Sequence, residues 1–144
     1  MSRITNKKCL MKDVLKIFHS ITVFSGGEYI QLGKNVRINP HCYFSAKPDG
    51  KIIIQDDVTF GPYCIIVSSD HNFSKDFKIN KQDLISEDIS IGNDVWIASR
   101  VTITRGAIIP DGCVIGACSL VTRHCKLKPY CIYGGNPLKK LKER

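Results

Sequence analysis

The stretch that decides the fold is residues 91–123, which read IGNDVWIASRVTITRGAIIPDGCVIGACSLVTR. An aliphatic residue opens every block of six. These residues are Ile91, Ile97, Ile103, Ile109, Ile115 and Val121. A period of six matches neither the 3.6-residue repeat of an α-helix nor the alternation of a simple β-hairpin. It predicts a coil with three flat sides, in which each block supplies one short strand and one tight turn.

The same period recurs upstream, where the blocks open on apolar residues. These are Leu32, Ile38, Phe44, Ile54, Phe60 and Ile66. The fifth position of each block is small or β-branched. It holds Val36, Cys42, Val58, Cys64, Val95, Val101, Ala107, Cys113, Ser119 and Cys125. We expect both positions to point into a narrow interior, with coils stacked through parallel strands. Glycine recurs at the second position, where we expect backbone angles that other residues resist. Those glycines are Gly33, Gly61, Gly92 and Gly116.

The repeat is interrupted at two places and preceded by a different pattern. Residues 47–50 read KPDG, which is a turn signal, and residues 70–88 form a longer polar and charged break. A loop of that length within a compact domain is usually functional or disordered. Residues 9–21 place apolar side chains at helical spacing, which predicts an amphipathic helix covering one end of the stack. We therefore predict one all-β domain over residues 1–144, with coils over 32–125.

The composition fits a folded chain. The 144 residues are 43% hydrophobic, which is enough for a core and too much for a disordered protein. No apolar run approaches the roughly 20 residues of a membrane span, and charges interrupt the N-terminal segment, so we expect a cytoplasmic protein. The seven cysteines are odd in number and lack C-x-x-C spacing, which argues against a disulfide framework or a zinc ribbon. We interpret them as small packing residues.

The net charge of +8 suggests an anionic partner. Its distribution is uneven, because seven basic residues and one acidic residue follow from Arg123 onward. The segment 126–144 is thus either a solvated tail or a phosphate-binding end. Nucleic acid is not expected, because no interleaved aromatic residues or groove-reading element accompany the charge.

Residues 91–123, followed by YGGNPLKKLKE at 133–143, resemble the hexapeptide-repeat acetyltransferases. This family includes galactoside and maltose O-acetyltransferases and smaller enzymes that acetylate capsule or O-antigen sugars. The I-G-x-x-V-W-I-[GA] segment and the G-N-P sequence together carry the resemblance, which covers residues 32–143. It implies a left-handed parallel β-helix with a protruding loop. It also implies a homotrimer with active sites between neighbouring prisms, and acetyl transfer from acetyl-CoA to a hydroxyl or an amine.

Acetyl transfer to a hydroxyl needs a general base, and histidine suits this role. Of the four histidines, His71 opens the long loop, where the resemblance places the catalytic histidine. Asp70 is the predicted partner that orients it, with Glu87 and Asp88 as rival orienters. Because adjacent residues often point apart, the alternative role for Asp70 is to bind acceptor hydroxyls.

The resemblance also assigns binding residues. For acetyl-CoA these are Ser99, Ala117, Thr122, Arg123, Lys139 and Lys142. For the acceptor they are Asn39, His41 and Tyr43, from an earlier coil of the neighbouring prism. Trp96 belongs to the V-W-I element and either walls the acyl or acceptor pocket or packs at a corner. O-acetylation of a sugar or cell-surface polysaccharide unit is our first prediction, and N-acetylation of an amino (nucleotide) sugar is the alternative.

Two other classes share this repeat. A γ-type carbonic anhydrase needs three histidines around zinc, and its H-x-x-x-x-H spacing is missing here, so we expect no metal. A non-catalytic scaffold would keep the repeat but would have no reason to combine His71, the long loop and a basic end.

Overall fold

The computed structural model describes residues 22–144, so the helix predicted for residues 9–21 lies outside the described part of the chain. The strands are short and follow one another closely. They are β1 (Val23–Ser25), β2 (Ile30–Leu32), β3 (Arg37–Ile38), β4 (Tyr43–Ser45), β5 (Ile52–Ile54), β6 (Thr59–Phe60), β7 (Ile65–Val67), β8 (Ser69–His71), β9 (Leu84–Ser86), β10 (Ile89–Ile91), β11 (Trp96–Ile97), β12 (Thr102–Thr104), β13 (Ile108–Ile109), β14 (Val114–Ile115), β15 (Leu120–Val121), β16 (Cys131–Gly134) and β17 (Lys139–Glu143). Two 3₁₀ turns lie at Gly27–Tyr29 and Ile79–Lys81. Within residues 22–144, no helix is both long and apolar enough to cross a membrane.

The strands stack into three parallel sheets that form the sides of a prism. Side 1 contains β2, β5, β10 and β13, and side 2 contains β3, β6, β11, β14 and β16. Side 3 contains β1, β4, β7, β12 and β15. The chain visits the sides in the order 1, 2, 3, so each circuit is one coil. The predicted parallel β-helix is confirmed, and its ladders extend beyond the predicted bounds, to β1 at one end and β16 at the other.

The interior holds the side chains that the period assigned to it. Ile97 and Ile103, at the first position, and Val36 and Val101, at the fifth, have no exposed surface. Phe44 and Phe60 meet edge to face, with ring centroids 5.4 Å apart. The register stacks like positions of successive coils, because Ile97 pairs with Phe60 on one side and Ile115 on the other.

Of the cysteines within residues 22–144, four are buried, Cys125 is half-buried and Cys118 is exposed. Cys42 and Cys64 fill fifth positions, and each thiol donates to a carbonyl of the next coil, at 3.2 Å to Gly61 and 3.1 Å to Ala98. Burial raises the pKa of the Cys113 thiol, which also occupies a fifth position. The packing interpretation is wrong for Cys118, which is exposed because it stands at a fourth position, where the chain turns outward.

The second-position glycines are required for a different reason from the one predicted. Gly61 does not have a positive φ. A Cβ on it would lie 2.6 Å from the backbone nitrogen of Ser99 in the next coil. The left-handed angles occur instead at the fourth position, as at Asp57 (φ 61) and Arg100 (φ 58). Close approach of stacked coils, rather than unusual backbone angles, therefore selects glycine.

Both interruptions of the repeat leave the prism between sides 3 and 1. The predicted turn at residues 47–50 is confirmed by paired backbone bonds between Lys47 and Gly50, at 3.0 and 3.1 Å. The longer break begins and ends as an antiparallel hairpin in which β8 pairs with β9. Its tip exposes Phe73 and Phe77, which are 75% and 70% accessible. We call residues 69–86 the hairpin.

Candidate functional site

Two edges of the prism carry most of the predicted site residues. The hairpin edge joins side 3 to side 1 and includes residues 68–88, 105–107 and 122–124. Asp70, His71, Thr122 and Arg123 lie there. The stacking edge joins side 2 to side 3 and comprises residues 39–42, 61–64, 98–101 and 116–119.

On or beside the stacking edge lie the remaining predicted residues of the coil. They are Asn39, His41, Tyr43, Ser99 and Ala117, whereas Trp96 lies on β11 of side 2. The predicted residues of the described chain thus lie on the hairpin edge, on the stacking edge and on side 2, where β17 carries Lys139 and Lys142.

His71 is the last residue of β8, opposite Leu84 of β9, where the hairpin leaves the coil. Its side chain is exposed and therefore accessible to a substrate. Among residues 22–144, no carboxylate forms a hydrogen bond with this imidazole. The strand pairing fixes the backbone of His71, while the ring itself faces solvent in a single chain.

The predicted orienter, Asp70, is directed elsewhere. Its Oδ2 accepts a hydrogen bond from Nε of Arg105 at 2.8 Å. Arg105 also donates to Glu87, and Arg123 donates to the same Glu87 oxygen at 2.5 Å. The rival orienter Asp88 accepts from the backbone N–H of Lys51 at 2.7 Å. None of the three carboxylates contacts the His71 ring in the described chain, because each already binds another cation or N–H.

The predicted donor-binding residues differ in exposure and in the hydrogen bonds that they already make. Arg123 is 46% exposed, but its guanidinium already binds the Glu87 carboxylate, which also accepts from Arg105. Thr122 caps the following turn, where its Oγ1 accepts from the backbone N–H of His124 at 3.3 Å. Lys139 and Lys142 are exposed on β17, which folds back antiparallel on β16 through the G-N-P turn.

The predicted donor contacts on the stacking edge have small side chains. Ser99 is half-buried and Ala117 is exposed, and they lie in successive coils, since the N–H of Cys118 donates to the Ser99 carbonyl at 3.0 Å. Small side chains on one edge and cations on the other and on β17 fit an elongated ligand with an anionic end.

Trp96 lies on β11 and faces outward, 53% exposed. It lines a cleft of about 390 Å³ on side 2, which Arg144 borders. The other lining residues are Asp57, Thr59, Asp94, Val95 and Val114. The guanidinium of Arg144 binds the Asp94 carboxylate at 2.8 Å. Trp96 thus borders an open cleft with about half of its surface accessible.

The predicted acceptor-binding residue His41 lies in a stack with two residues that the sequence analysis did not select. The imidazole of His41 stacks on the ring of Tyr63, with centroids 4.7 Å apart and planes 11° from parallel. The guanidinium carbon of Arg100 lies 5.7 Å from the same ring centroid, within reach of a cation–π interaction. All three stand at the fourth position of their blocks, in successive coils. This shared position in the repeat is the sequence signal that could have grouped Tyr63 and Arg100 with His41.

Asn39 and Tyr43 flank this stack and differ in how accessible they are. The Asn39 amide donates to the Phe60 carbonyl at 2.7 Å, so it joins two coils. Tyr43 faces outward at the start of β4 and is 38% exposed. Within residues 22–144, no group of three or more histidine, cysteine, aspartate or glutamate side chains is arranged to hold a metal.

Side 2, which carries Trp96, lies across the prism from the hairpin edge, which carries His71. The filled interior separates them. A single chain therefore does not bring His71 and Trp96 into one site.

Comparison with known proteins places these features among acyltransferases. Residues 88–123 match the family model of the bacterial transferase hexapeptide (six repeats). The galactoside O-acetyltransferase of Escherichia coli (strain K12) is 32% identical over 120 residues, which are 83% of this chain and 57% of that enzyme. The chain thus spans little more than half of that relative's length.

Solved structures give the same result. A maltose O-acetyltransferase from Clostridium difficile 630 superimposes with a TM-score of 0.75 and 30% identity, covering 92% of this chain and 73% of that one. A galactoside acetyltransferase in complex with coenzyme A gives a TM-score of 0.76 and 31% identity, covering 85% of this chain and 58% of that one.

Proposed function

Because the chain belongs to the hexapeptide-repeat acetyltransferase family, with its left-handed parallel β-helix, we propose that it transfers an acetyl group from acetyl-CoA to a hydroxyl of a sugar or cell-surface polysaccharide unit. The observation that carries this proposal is the position of His71. It is an exposed histidine at the base of the hairpin, where β8 leaves the coil.

His71 acts as the general base in this proposal. Its imidazole takes the proton of the acceptor hydroxyl as that oxygen attacks the acetyl carbonyl. One oxygen–carbon bond forms, the carbon–sulfur bond breaks, and the imidazolium returns its proton to the departing thiolate. The acceptor leaves as an ester and the donor leaves as a free thiol, so the histidine ends the cycle as it began.

The donor lies along the basic residues in this proposal. Arg123, Lys139 and Lys142 are exposed cations that would attract the phosphates. Ser99 and Ala117 offer small side chains beside which a slender pantetheine chain fits. The complex of the galactoside acetyltransferase with coenzyme A supports this assignment, since that enzyme shares the fold at 31% identity.

We further propose that the active site lies between copies of this chain in a homotrimer. His71 and Trp96 occupy opposite parts of one prism, so a common site needs the hairpin edge of one copy and side 2 of the next. Side 3 also carries an outward row in which Val23, Tyr43 and Ile65 are paired in register and 48%, 38% and 44% exposed. Copies arranged around a threefold axis would cover such surface and close the ring.

The test is turnover of acetyl-CoA, followed as released thiol, against a panel of sugars, nucleotide sugars and amines. We expect thiol release that depends on a sugar acceptor and that disappears in His71→Ala. A product whose acetyl group is removed by mild base is an ester, whereas resistance to base identifies an amide and favours the N-acetylation alternative.

A protein that neither turns over acetyl-CoA nor binds coenzyme A by calorimetry would contradict the proposal and favour a scaffold.

A further inference from the structure

Arg105 joins the hairpin to the coil. It follows directly after β12, and its side chain is only 13% exposed. Its Nε donates to Asp70, which lies in β8, and its Nη1 donates to Glu87, which follows β9 by one residue. One guanidinium therefore binds both ends of the hairpin. Arginine suits this task, because its planar group presents several donors in fixed directions.

The hairpin is itself a short element. Its strands pair over three residues each, and an isolated pair of strands is marginally stable in water. A backbone bond from Glu87 to the Ser68 carbonyl, at 3.0 Å, closes its base. These bonds hold the two strands together, whereas Arg105 reaches from β12 in the next coil, whose own strand pairs with β7. Arg105 thus fixes the direction in which the hairpin leaves the prism.

The surroundings of the two carboxylates are adapted to this contact. Gly106 follows Arg105 with a φ of +71, and a Cβ there would collide with the Glu87 carboxylate. The absence of a side chain at Gly106 leaves room for Glu87 between two arginines, since Arg123 donates to it from the next coil. Asp70 precedes His71 directly. A displacement of Asp70 would therefore move the histidine backbone with it.

We propose that Arg105 is a positioning residue for the acetyl transfer: by holding Asp70 and Glu87 it sets where His71 meets the acceptor. This inference rests on the proposed function of His71. Arg105 itself touches neither substrate, and its effect is transmitted through the hairpin. A displacement of about 1 Å at a reacting group can lower a rate about 100-fold, so the contact matters for turnover more than for substrate binding.

The experiment compares Arg105→Ala and Arg105→Lys with the unchanged protein, using thiol release and the active sugar acceptor. We expect Arg105→Ala to lower kcat by about 10-fold to 100-fold while KM for acetyl-CoA changes less than about threefold. Arg105→Lys should fall between, because an ammonium is a point charge without the two-pronged geometry. Lys81→Ala, which removes a positive charge from the exposed tip of the same hairpin, is the matched control and should keep its activity.

Two further readouts separate positioning from general stability. Amide hydrogen exchange in residues 69–86 should accelerate in Arg105→Ala, while exchange in the strands of sides 1 and 2 stays unchanged. Added guanidinium, at concentrations that do not unfold the protein, should restore part of the kcat of Arg105→Ala and nothing in His71→Ala. If Arg105→Ala does not fold, Arg105→Lys and Asp70→Asn test the same contact.

A kcat within about twofold of the unchanged protein in a folded Arg105→Ala variant would overturn the proposal. So would a loss that resides only in KM for acetyl-CoA. Failure of the proposed function is recognised separately, because His71→Ala would then keep its activity whatever the Arg105 variants do.

Discussion

Replacing Gly61 by alanine adds one methyl group where two coils meet. The new Cβ would lie 2.6 Å from the Ser99 nitrogen and 2.8 Å from the Ala98 carbonyl carbon. Favourable contacts between such atoms begin near 3.5 Å, so the coils would have to separate by roughly 0.8 Å. That movement strains the backbone bond from Gly61 to the Ile97 carbonyl, which is 2.7 Å long.

We expect Gly61→Ala to lower the free energy of unfolding by about 2–4 kcal/mol, which combines overpacking with a weakened hydrogen bond. Gly116→Ala is the matched control. It makes the same change at the same position of a later block, but its Cβ would approach nothing closer than the Tyr133 oxygen at 3.2 Å. We expect it to cost less than about 1 kcal/mol. Alanine restricts the unfolded chain equally in both variants, so that contribution cancels in the comparison.

Urea unfolding followed by far-ultraviolet circular dichroism measures both variants, at one protein concentration because assembly affects apparent stability. The reasoning is refuted if the two variants lie within about 0.5 kcal/mol of each other, which is the usual scale of surface substitutions. It is equally refuted if Gly116→Ala is the less stable of the two. Either result would mean that coil spacing is not what selects glycine at the second position.

Three further predictions concern the site and the assembly. Arg123→Ala should raise KM for acetyl-CoA about tenfold and KM for the acceptor by less than about twofold, in steady-state kinetics; a larger change for the acceptor would contradict the donor assignment. Trp96→Ala should be poorly active alone, and its one-to-one co-expression with His71→Ala should restore roughly a quarter of the activity, since randomly mixed trimers pair an intact hairpin edge with an intact side 2 at that frequency. No recovery would contradict a site shared between copies. Cys118→Ser should remove one fast-reacting thiol in a titration of the native protein, whereas Cys64→Ser should remove none; equal losses would contradict the observed burial.

The interior of this fold could be predicted from the sequence because it repeats along one dimension. Burial of two side chains in every six residues is a local pattern, and it placed residues such as Ile97 and Val101 correctly. The same pattern also indicates which positions face outward. Cys118 stands at the fourth position, as do Tyr63 and Arg100, and this position faces outward in each of those blocks.

The rest of the candidate site depends on distances between coils, which no local pattern contains. Asp70 finds its partner in Arg105, 35 residues later, after a complete hairpin. The prediction that Asp70 orients His71 rested instead on the general pairing of carboxylates with catalytic histidines. The reason for glycine at position 61 likewise depends on how closely the next coil approaches. The separation of His71 from Trp96 likewise depends on how the three sheets are arranged around the interior.

The role of His71 is tested most directly by comparing thiol release from acetyl-CoA by His71→Ala and by the unchanged protein, with the active sugar acceptor present. His124→Ala serves as the control, because it removes an exposed histidine to which no role is assigned. Loss of a general base predicts that kcat falls about 100-fold or more in His71→Ala, at an unchanged unfolding midpoint, and stays near the original value in His124→Ala. A His71→Ala protein that kept more than about a tenth of its acceptor-dependent turnover would contradict the account.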